Sequence, residues 1–350
     1  MRGRTAVTAA LIALSLASSL AVTSPATADG PPGGGPGATG RFAYVANAGS
    51  RTVSVMQVGS PAALATIPVP AGAEDLAVSP RGDRVYVTGG LRSHEVSVID
   101  TSSRRVVRTI RAGDRPVGVA VTARGSRAVV ANAESDTVSV IDTRRDRVVR
   151  TLKVGDWPRD VAITPNGRWA YVTNLKSHSV SVIDVWRGRV FDTIRLENDT
   201  AAFAVALSAD GRQAYVTGGN GSDSLTVIDT VANEIVDSVQ VPKGAENLVV
   251  TPEESAASET PQVYVSGGFG TNTVSVIDPR LLIVIRTFTV PYGAEGLAIN
   301  ANGDRLLVTS GVGENWLTVV NAETDTVMRA VRVGWNPLNV AMDTPPTNAP

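Results

Sequence analysis

Residues 171–184 read YVTNLKSHSVSVID, and this stretch decides the fold. Apolar and polar side chains alternate in both its first four and its last six residues, and β-branched types are frequent, as is typical of β-strands. The residues between the two runs are mostly polar, which favours a turn. The stretch therefore predicts two adjacent antiparallel strands joined by a short connection.

Both halves of this stretch recur at a regular spacing. Copies of the first half begin at Tyr44, Tyr86, Val129, Tyr171, Tyr215, Tyr264 and Leu307, and copies of the second end at Gln57, Asp100, Asp142, Asp184, Asp229, Asp278 and Asn321. The gaps between the first landmarks are 42, 43, 42, 44, 49 and 43 residues. Repeats of this length with four short strands each are typical of propeller blades. The sequence therefore predicts an all-β, seven-bladed β-propeller of four-stranded antiparallel blades over residues 41–343.

The strands of one blade follow from the alternation within the second repeat. There we expect strand A at 75–79, B at 84–88, C at 96–100 and D at 106–110. The first repeat enters at a B strand with no A strand before it, and its missing partner is the run 338–342 near the C-terminus. We expect this last strand to complete blade one and close the ring, which removes the exposed edges of an open array.

The repeated motif also carries a resemblance. Tyr171-Val172-Thr173-Asn174 is the motif that names the YVTN-repeat propellers, and Tyr86-Val87-Thr88 and Tyr215-Val216-Thr217 are near copies. Over residues 41–343 the chain resembles this secreted bacterial family of surface-layer and periplasmic type. The resemblance implies a binding or scaffolding role, and a few members are reported to bind DNA. The motif residues are strand and turn positions, so the resemblance implies no catalytic residue.

Composition excludes several kinds of site. The 350 residues include no cysteine and two histidines, with 32 basic and 33 acidic side chains. Disulfides, thiol nucleophiles, cysteine-ligated zinc and three-histidine metal centres are thereby excluded. The formal charge of −1 argues against a generally basic nucleic-acid binder. The sequence contains no P-loop, no Gly-x-Ser-x-Gly elbow and no His-Glu-x-x-His motif.

The N-terminus has the pattern of a secretory signal. Arg2 and Arg4 precede an apolar run over 6–22, and small residues lead up to Ala28. A membrane anchor is the alternative, but it needs about 20 apolar residues and this run is interrupted by hydroxyl side chains. We therefore expect a signal peptide over residues 1–28 and a protein that is secreted or associated with the cell wall.

Two further segments lie outside the repeats. Residues 29–40 are dominated by glycine and proline, which predicts a flexible tether. Residues 344–350 follow the last strand, and we expect them to form a disordered tail. No later segment is long and apolar enough to span a bilayer.

Antiparallel strands place the B–C and D–A loops on one face, called the top face here. One D–A loop position per repeat is equivalent: Glu74, Val117, Arg159, Phe203, Glu246, Glu295 and Leu338. The three glutamates each end a Gly-Ala-Glu string and fall in blades two, six and seven, so we expect an arc at the channel mouth. Top loops of the same sector carry the aromatic residues Phe269, Tyr292, Trp316 and Trp335.

Two interpretations of this sector remain open. Carboxylates beside aromatic rings could bind a cation, a basic peptide or a sugar, with calcium as the candidate metal at Glu74, Glu246 and Glu295. Alternatively, Gly-Ala-Glu is a repeated turn whose glutamate is solvated, and the aromatic rings cover blade seams.

The opposite face, called the bottom face, is basic on one half. Its A–B and C–D turns in blades two to four carry Arg81, Arg84, Arg104, Arg105, Arg124, Arg127, Arg144, Arg145, Arg147, Arg168, Arg187 and Arg189. This half-face could bind a polyanion, a cell-wall polymer or nucleic acid in a salt-dependent manner. The alternative is a solvated arginine-rich surface that reflects composition alone.

The two histidines occupy equivalent B–C turn positions. The seven equivalents are Arg51, His94, Asp136, His178, Asp223, Asn272 and Asn315, which are mostly types that tolerate left-handed backbone. We therefore expect turn residues rather than metal ligands.

The function predicted from the sequence is binding or scaffolding by a secreted, monomeric, non-enzymatic propeller without a cofactor. Its partner would be a protein, glycan or cell-wall polymer at the cell exterior. The alternatives are a calcium-assisted lactonase or lyase at the channel mouth, and a polyanion or nucleic-acid binder on the bottom face.

Overall fold

The strands of the chain group by fours into seven antiparallel sheets. The computed structural model describes residues 42–343 apart from 198–199, 220–221, 243, 254, 256–257, 259 and 269. The predicted signal peptide, tether and tail, and the aromatic residue Phe269, lie outside the described residues. Among the residues described, no helix has the length and apolar character needed to cross a membrane.

Each sheet is one blade with the strand order A, B, C, D. Blade one consists of β28 (Pro337–Met342), β1 (Phe42–Asn47), β2 (Thr52–Gln57) and β3 (Ala65–Pro68). Blade two consists of β4 (Leu76–Val78), β5 (Arg84–Thr88), β6 (Glu95–Asp100) and β7 (Arg105–Arg111). Blade three consists of β8 (Pro116–Val121), β9 (Arg127–Asn132), β10 (Thr137–Asp142) and β11 (Arg147–Lys153).

The remaining four blades follow the same order. Blade four consists of β12 (Pro158–Ile163), β13 (Trp169–Asn174), β14 (Ser179–Asp184) and β15 (Arg189–Arg195). Blade five consists of β16 (Val205–Leu207), β17 (Gln213–Thr217), β18 (Ser224–Asp229) and β19 (Glu234–Gln240). Blade six consists of β20 (Leu248–Val250), β21 (Val263–Ser266), β22 (Thr273–Asp278) and β23 (Ile283–Thr289). Blade seven consists of β24 (Leu297–Ile299), β25 (Arg305–Thr309), β26 (Trp316–Asn321) and β27 (Thr326–Arg332).

The ring closes as the sequence predicts. Strand β28 pairs antiparallel with β1, with Val340 opposite Val45. The backbone N–H of Phe42 donates to Oδ1 of Asp343 at 2.7 Å, which joins residues 301 positions apart. The C-terminal strand therefore supplies the A strand that the first repeat lacks.

Predicted and observed strands of blade two differ at their ends. Strand B spans 84–88 in both, whereas strand A is shorter than predicted and begins at Leu76. Before Leu76 the pairing becomes irregular, because Glu74 and Asp75 both bond to Thr88: the Asp75 carbonyl oxygen accepts from the Thr88 N–H at 2.9 Å, whereas the Asp75 N–H donates to the Thr88 hydroxyl at 3.0 Å.

The residues of the repeated motif have separate structural roles. In blade four, Tyr171 is fully buried, and the Thr173 hydroxyl donates to the carbonyl oxygen of Phe203 in blade five at 3.0 Å. The Asn174 amide donates to the hydroxyls of Ser179 and Ser181 at 3.1 and 3.0 Å, which fixes the neighbouring strand. The tyrosine therefore fills the core, the threonine joins adjacent blades and the asparagine joins strands B and C.

Candidate functional site

Loops from all seven blades meet at a small cavity on the top face. The cavity has a volume of about 50 Å³ and is lined by Glu74, Asp75, Val117, Gly118, Arg159, Asp160, Phe203, Ala204, Asn247, Glu295, Leu338 and Asn339. Because every blade contributes, the cavity lies at the mouth of the central channel. Six of the seven equivalent D–A loop residues line it, including Glu74 and Glu295 of the predicted arc, whereas Glu246 is not among the lining residues.

Local packing explains where the glutamate side chains lie. In blades two, six and seven a glycine of the B–C loop leaves room for the glutamate of the same blade. A Cβ at Gly90 would lie 2.9 Å from Cβ of Glu74, and one at Gly268 or Gly311 would lie 2.5 Å from Glu246 or 3.0 Å from Glu295. Each glutamate stem therefore packs on a glycine of its own blade.

Blade five shows that this packing does not require a carboxylate. There Phe203 occupies the glutamate position, and a Cβ at Gly219 would lie 2.5 Å from its ring. An aromatic ring therefore fills the same place on the same kind of glycine. The charge of the three glutamates is not needed for the turn.

Two of the three carboxyl groups form a pair. Burial, the neighbouring carboxylate of Glu246 and the hydrogen bond between these two groups together raise the pKa of Glu295 to about 8. The charge of Glu74 acts in the same direction, whereas the guanidinium of Arg159 lowers this pKa. Glu246 and Glu295 therefore share a proton at neutral pH, and all three glutamates contribute to one electrostatic site.

A second row of polar residues, which the sequence analysis missed, lies one position further along each loop. Asp75 accepts a hydrogen bond from the backbone N–H of Val119 at 2.9 Å and another from the Asn339 amide. Asp160 accepts from the backbone N–H of Val205 at 2.9 Å. These carboxyl groups therefore connect the inner strands of adjacent blades.

The environment of this second row favours protonated carboxyl groups. Burial raises the pKa of Asp75 to about 8, with the charge of Asp160 as the next contribution. Burial also raises the pKa of Asp160. Aligning the column after the glutamates would have identified both residues, because it reads Asp, Gly, Asp, Ala, Asn, Gly, Asn around the ring.

The aromatic residues lie apart from the glutamates. Tyr292 stacks on Trp316 with centroids 4.6 Å apart and an interplanar angle of 13°, and the guanidinium of Arg332 lies 5.0 Å from the Trp316 ring. Trp335 is 50 % exposed. None of these three rings lines the channel cavity.

The arginines of the bottom face divide into two groups. Ion pairs join Arg84 to Asp146, Arg127 and Arg145 to Asp142, and Arg168 and Arg187 to Asp184, over 3.0–4.0 Å. For Arg81, Arg104, Arg105, Arg124, Arg144, Arg147 and Arg189 no ion pair with another described residue is present. Trp186, which is 51 % exposed beside Arg127, adds an aromatic ring that the sequence analysis missed.

Both histidines lie in B–C connections, but only one of them has left-handed backbone. His178 has left-handed backbone with φ of 50°, as do Arg51 and Asp136. His94 does not, and its Nδ1 lies 2.8 Å from Oδ1 of Asp114. Left-handed backbone is likewise absent at Asp223, Asn272 and Asn315, because their loops place it at preceding glycines such as Gly219. No group of three or more acidic or histidine side chains in the described part of the chain is arranged to hold a metal ion.

One family model matches part of the chain. The family model described as lactonase, 7-bladed β-propeller, matches residues 17–190, just under half of the chain. No curated protein matches the chain.

Among solved structures, the chain is similar to three proteins at low identity. Hydrazine synthase of Kuenenia stuttgartiensis has 23 % identity and a TM-score of 0.67, over 77 % of this chain and 89 % of that one. A functionally unknown protein of Desulfotomaculum acetoxidans has 19 % identity and a TM-score of 0.74, over 87 % and 99 %. The dihydro-heme d1 dehydrogenase NirN, in complex with DHE, has 16 % identity and a TM-score of 0.62, over 86 % and 74 %.

These likenesses to solved structures show the fold alone, because each identity is below 25 %. The chain is thus a seven-bladed β-propeller that is similar, over residues 17–190, to the lactonase 7-bladed β-propeller family.

Proposed function

We propose that the protein is an extracellular, non-enzymatic propeller of the YVTN-repeat type that binds a cationic group of its partner at the channel mouth. The observation that carries this proposal is the pairing of Glu246 with Glu295, with the charge of Glu74 acting on the same site. A cation that enters the mouth displaces the shared proton and leaves both carboxylates charged, so binding gains Coulomb energy in a partly buried site.

The size of the cavity selects the kind of ligand. A cavity needs about 10–15 Å³ of volume open to a water-sized sphere to hold one water molecule, so the channel cavity of about 50 Å³ holds a few water-sized groups. An ammonium group or a metal ion fits this volume, whereas a complete sugar ring does not. The bulk of the partner would therefore lie on the loops above the mouth.

Calorimetry on the purified chain at pH 7 tests this proposal, with spermidine and calcium chloride as separate probes. We expect spermidine to bind and the combined variant Glu74→Gln, Glu246→Gln, Glu295→Gln to lose at least about tenfold in affinity, as for other charge-assisted contacts. The exposed residues Glu197, Glu234 and Glu323, changed to glutamine together, form the control. Equal binding by the channel-mouth variant, or no binding of either probe to the native chain, would contradict the proposal.

A second candidate is lactone hydrolysis at the same mouth, and the match to the lactonase family model favours it. A carboxyl group with a pKa near 8, such as Glu295, remains protonated at neutral pH and can act as a general acid. Hydrolysis of γ- and δ-lactones by the native chain, lost in Glu295→Gln and kept in Glu234→Gln, would support the enzyme. An inactive native chain would rule it out for those substrates.

A third candidate is a polyanion or nucleic-acid binder on the bottom face. The seven arginines without an ion pair and the exposed ring of Trp186 favour it, because charge and stacking together suit such polymers. Retention on heparin that falls steeply with salt, and falls further in a combined Arg104→Ser, Arg105→Ser, Arg144→Ser variant, is the expected result. Retention that does not respond to salt would contradict this candidate.

A further inference from the structure

A second, larger cavity opens on the top face at the seam between blades one and two. Its volume is about 630 Å³, which lies within the usual range for small-molecule sites. Three arginines line it: Arg51 from the β1–β2 turn, Arg92 from the β5–β6 loop and Arg111 at the end of β7. Two glutamates, Glu74 and Glu95, also line it, so the three arginines exceed the acidic side chains by one. Glu74 also lines the channel cavity, but the two cavities are distinct.

Comparison of equivalent seams shows why this one is open. The loops that lead into blades two, six and seven share the pattern Val-Pro-x-Gly-Ala-Glu, with Ala71, Lys243 and Tyr292 at the variable position. At the seam of blades six and seven, Tyr292 stacks on Trp316. At the seam of blades one and two, the alanine replaces the tyrosine, and Glu95 replaces the tryptophan at the start of strand C. The small side chain therefore leaves space that aromatic rings occupy elsewhere in the ring.

Arg92 occupies a position that otherwise holds glycine. The aligned residues in blades five, six and seven are Gly221, Gly270 and Gly313. Arg92 has φ of 61°, against 77° and 89° for Gly270 and Gly313, so the loop requires left-handed backbone there. Left-handed backbone is sterically unfavourable for any residue with a Cβ, and arginine is not one of the residue types that often adopt it. The left-handed backbone at Arg92 therefore has a steric cost that glycine would avoid.

Arg51, the second arginine of this cavity, also replaces a residue that suits the left-handed backbone of its turn better. Its counterpart in blade three, Asp136, accepts a hydrogen bond from the backbone N–H of Trp157 at 2.9 Å and pairs with Lys153 at 3.1 Å. Arg51 has the same left-handed backbone, with φ of 52°, but a guanidinium cannot accept these hydrogen bonds. In the part of the chain that is described, Arg51, Arg92 and Arg111 form no ion pair.

We propose that this seam cavity binds a small organic anion with two or three negatively charged groups. Carboxylate and phosphate groups both present paired oxygens that match the guanidinium fork, and three such forks suit a ligand with more than one anionic group. The Ser93 hydroxyl, the Asn336 amide and His94 also line the cavity and add further hydrogen-bonding groups for the body of the ligand.

Calorimetry on the full chain at fixed ionic strength tests this inference, with citrate, inorganic pyrophosphate and glucose as probes. Citrate and pyrophosphate distinguish a carboxylate from a phosphate ligand, and glucose is the neutral control. We expect at least one anion to bind and glucose not to bind. Arg92→Gly should weaken anion binding about tenfold or more, because one charge-assisted contact is lost. It should not lower the melting temperature, because glycine suits the left-handed position.

Two further variants make the result decisive. Arg280→Gly is the control, because Arg280 is exposed, lies in the turn between β22 and β23, and belongs neither to the seam cavity nor to the bottom-face arginine set. Ala71→Tyr should fill the cavity as Tyr292 does in the other seam and should also weaken binding. The inference is overturned if neither anion binds the native chain, if Arg92→Gly binds as tightly as the native chain, or if Arg280→Gly loses as much affinity.

Discussion

At the residue scale, burial and neighbouring charges set the ionisation of the carboxyl groups at the channel mouth. Sequence alignment placed Glu74, Glu246 and Glu295 in one arc, because the loop position is fixed by the repeat. It did not indicate that Glu246 and Glu295 share a proton, because that depends on side-chain direction across two blades. Asp75 and Asp160 were missed because each appears in the sequence as the ordinary first residue of a strand.

The raised pKa of Glu295 predicts a pH-dependent stability. The folded chain holds a proton that the unfolded chain releases above its ordinary value of 4.5, so the stability from this group is fully present below that value. It is lost as pH rises through about 8. Glu295→Gln cannot ionise, so its melting temperature should rise relative to the native chain between pH 5 and 8 and then remain level. Thermal melts measure this difference, and Glu234→Gln is the exposed control. A difference that does not change with pH would show that Glu295 ionises normally.

At the element scale, the repeated motif specifies contacts within and between blades. The B and C strands were predicted closely because their alternation is strong and they are buried on both faces. The A strands were predicted less well, since three-residue strands such as β4 in blade two are preceded by an irregular pairing in which the Thr88 hydroxyl takes the backbone N–H of Asp75. The position of the left-handed residue in the B–C turn also differs between blades. It lies at glycines such as Gly268 and Gly270 in some blades and at residues such as Asp136 in others, and a single alignment column does not indicate this.

The threonine of the motif provides a test of blade-to-blade bonding. Thr173→Val keeps the shape but leaves the carbonyl oxygen of Phe203 and the backbone N–H of Asp160 without this hydroxyl partner. The free energy of unfolding should fall by about 1–3 kcal/mol, the usual cost of an unsatisfied buried group. Denaturant titration measures it, and Thr193→Val on exposed β15 should change little. Equal effects of the two substitutions would show that the hydroxyl does not join the blades.

At the scale of the whole molecule, ring closure joins seven blades, each of which has little stability by itself, into one cooperative folding unit. Seven repeats predicted the number of blades, and the missing A strand predicted the closing strand, because both follow from counting landmarks. The seam cavity could not be predicted in this way, since it depends on which side chains meet between blades one and two.

Removing residues 337–350 tests this closure. The deletion removes β28 and leaves an unpaired edge on β1, so we expect loss of the single cooperative transition and aggregation on size-exclusion chromatography. Removing residues 344–350 alone spares the closing strand and should leave melting unchanged. A cooperative, monomeric product of the longer deletion would show that the ring does not need β28.

The most direct test of the central claim is a carboxyl ¹³C NMR titration of the glutamates, assigned with the Glu295→Gln variant. We predict that one of the three glutamates, Glu295, titrates with a pKa near 8 in the free protein and with a lower pKa when spermidine is bound, because the cation displaces the shared proton. Ordinary titration of all three glutamates, unchanged by spermidine, would contradict the claim.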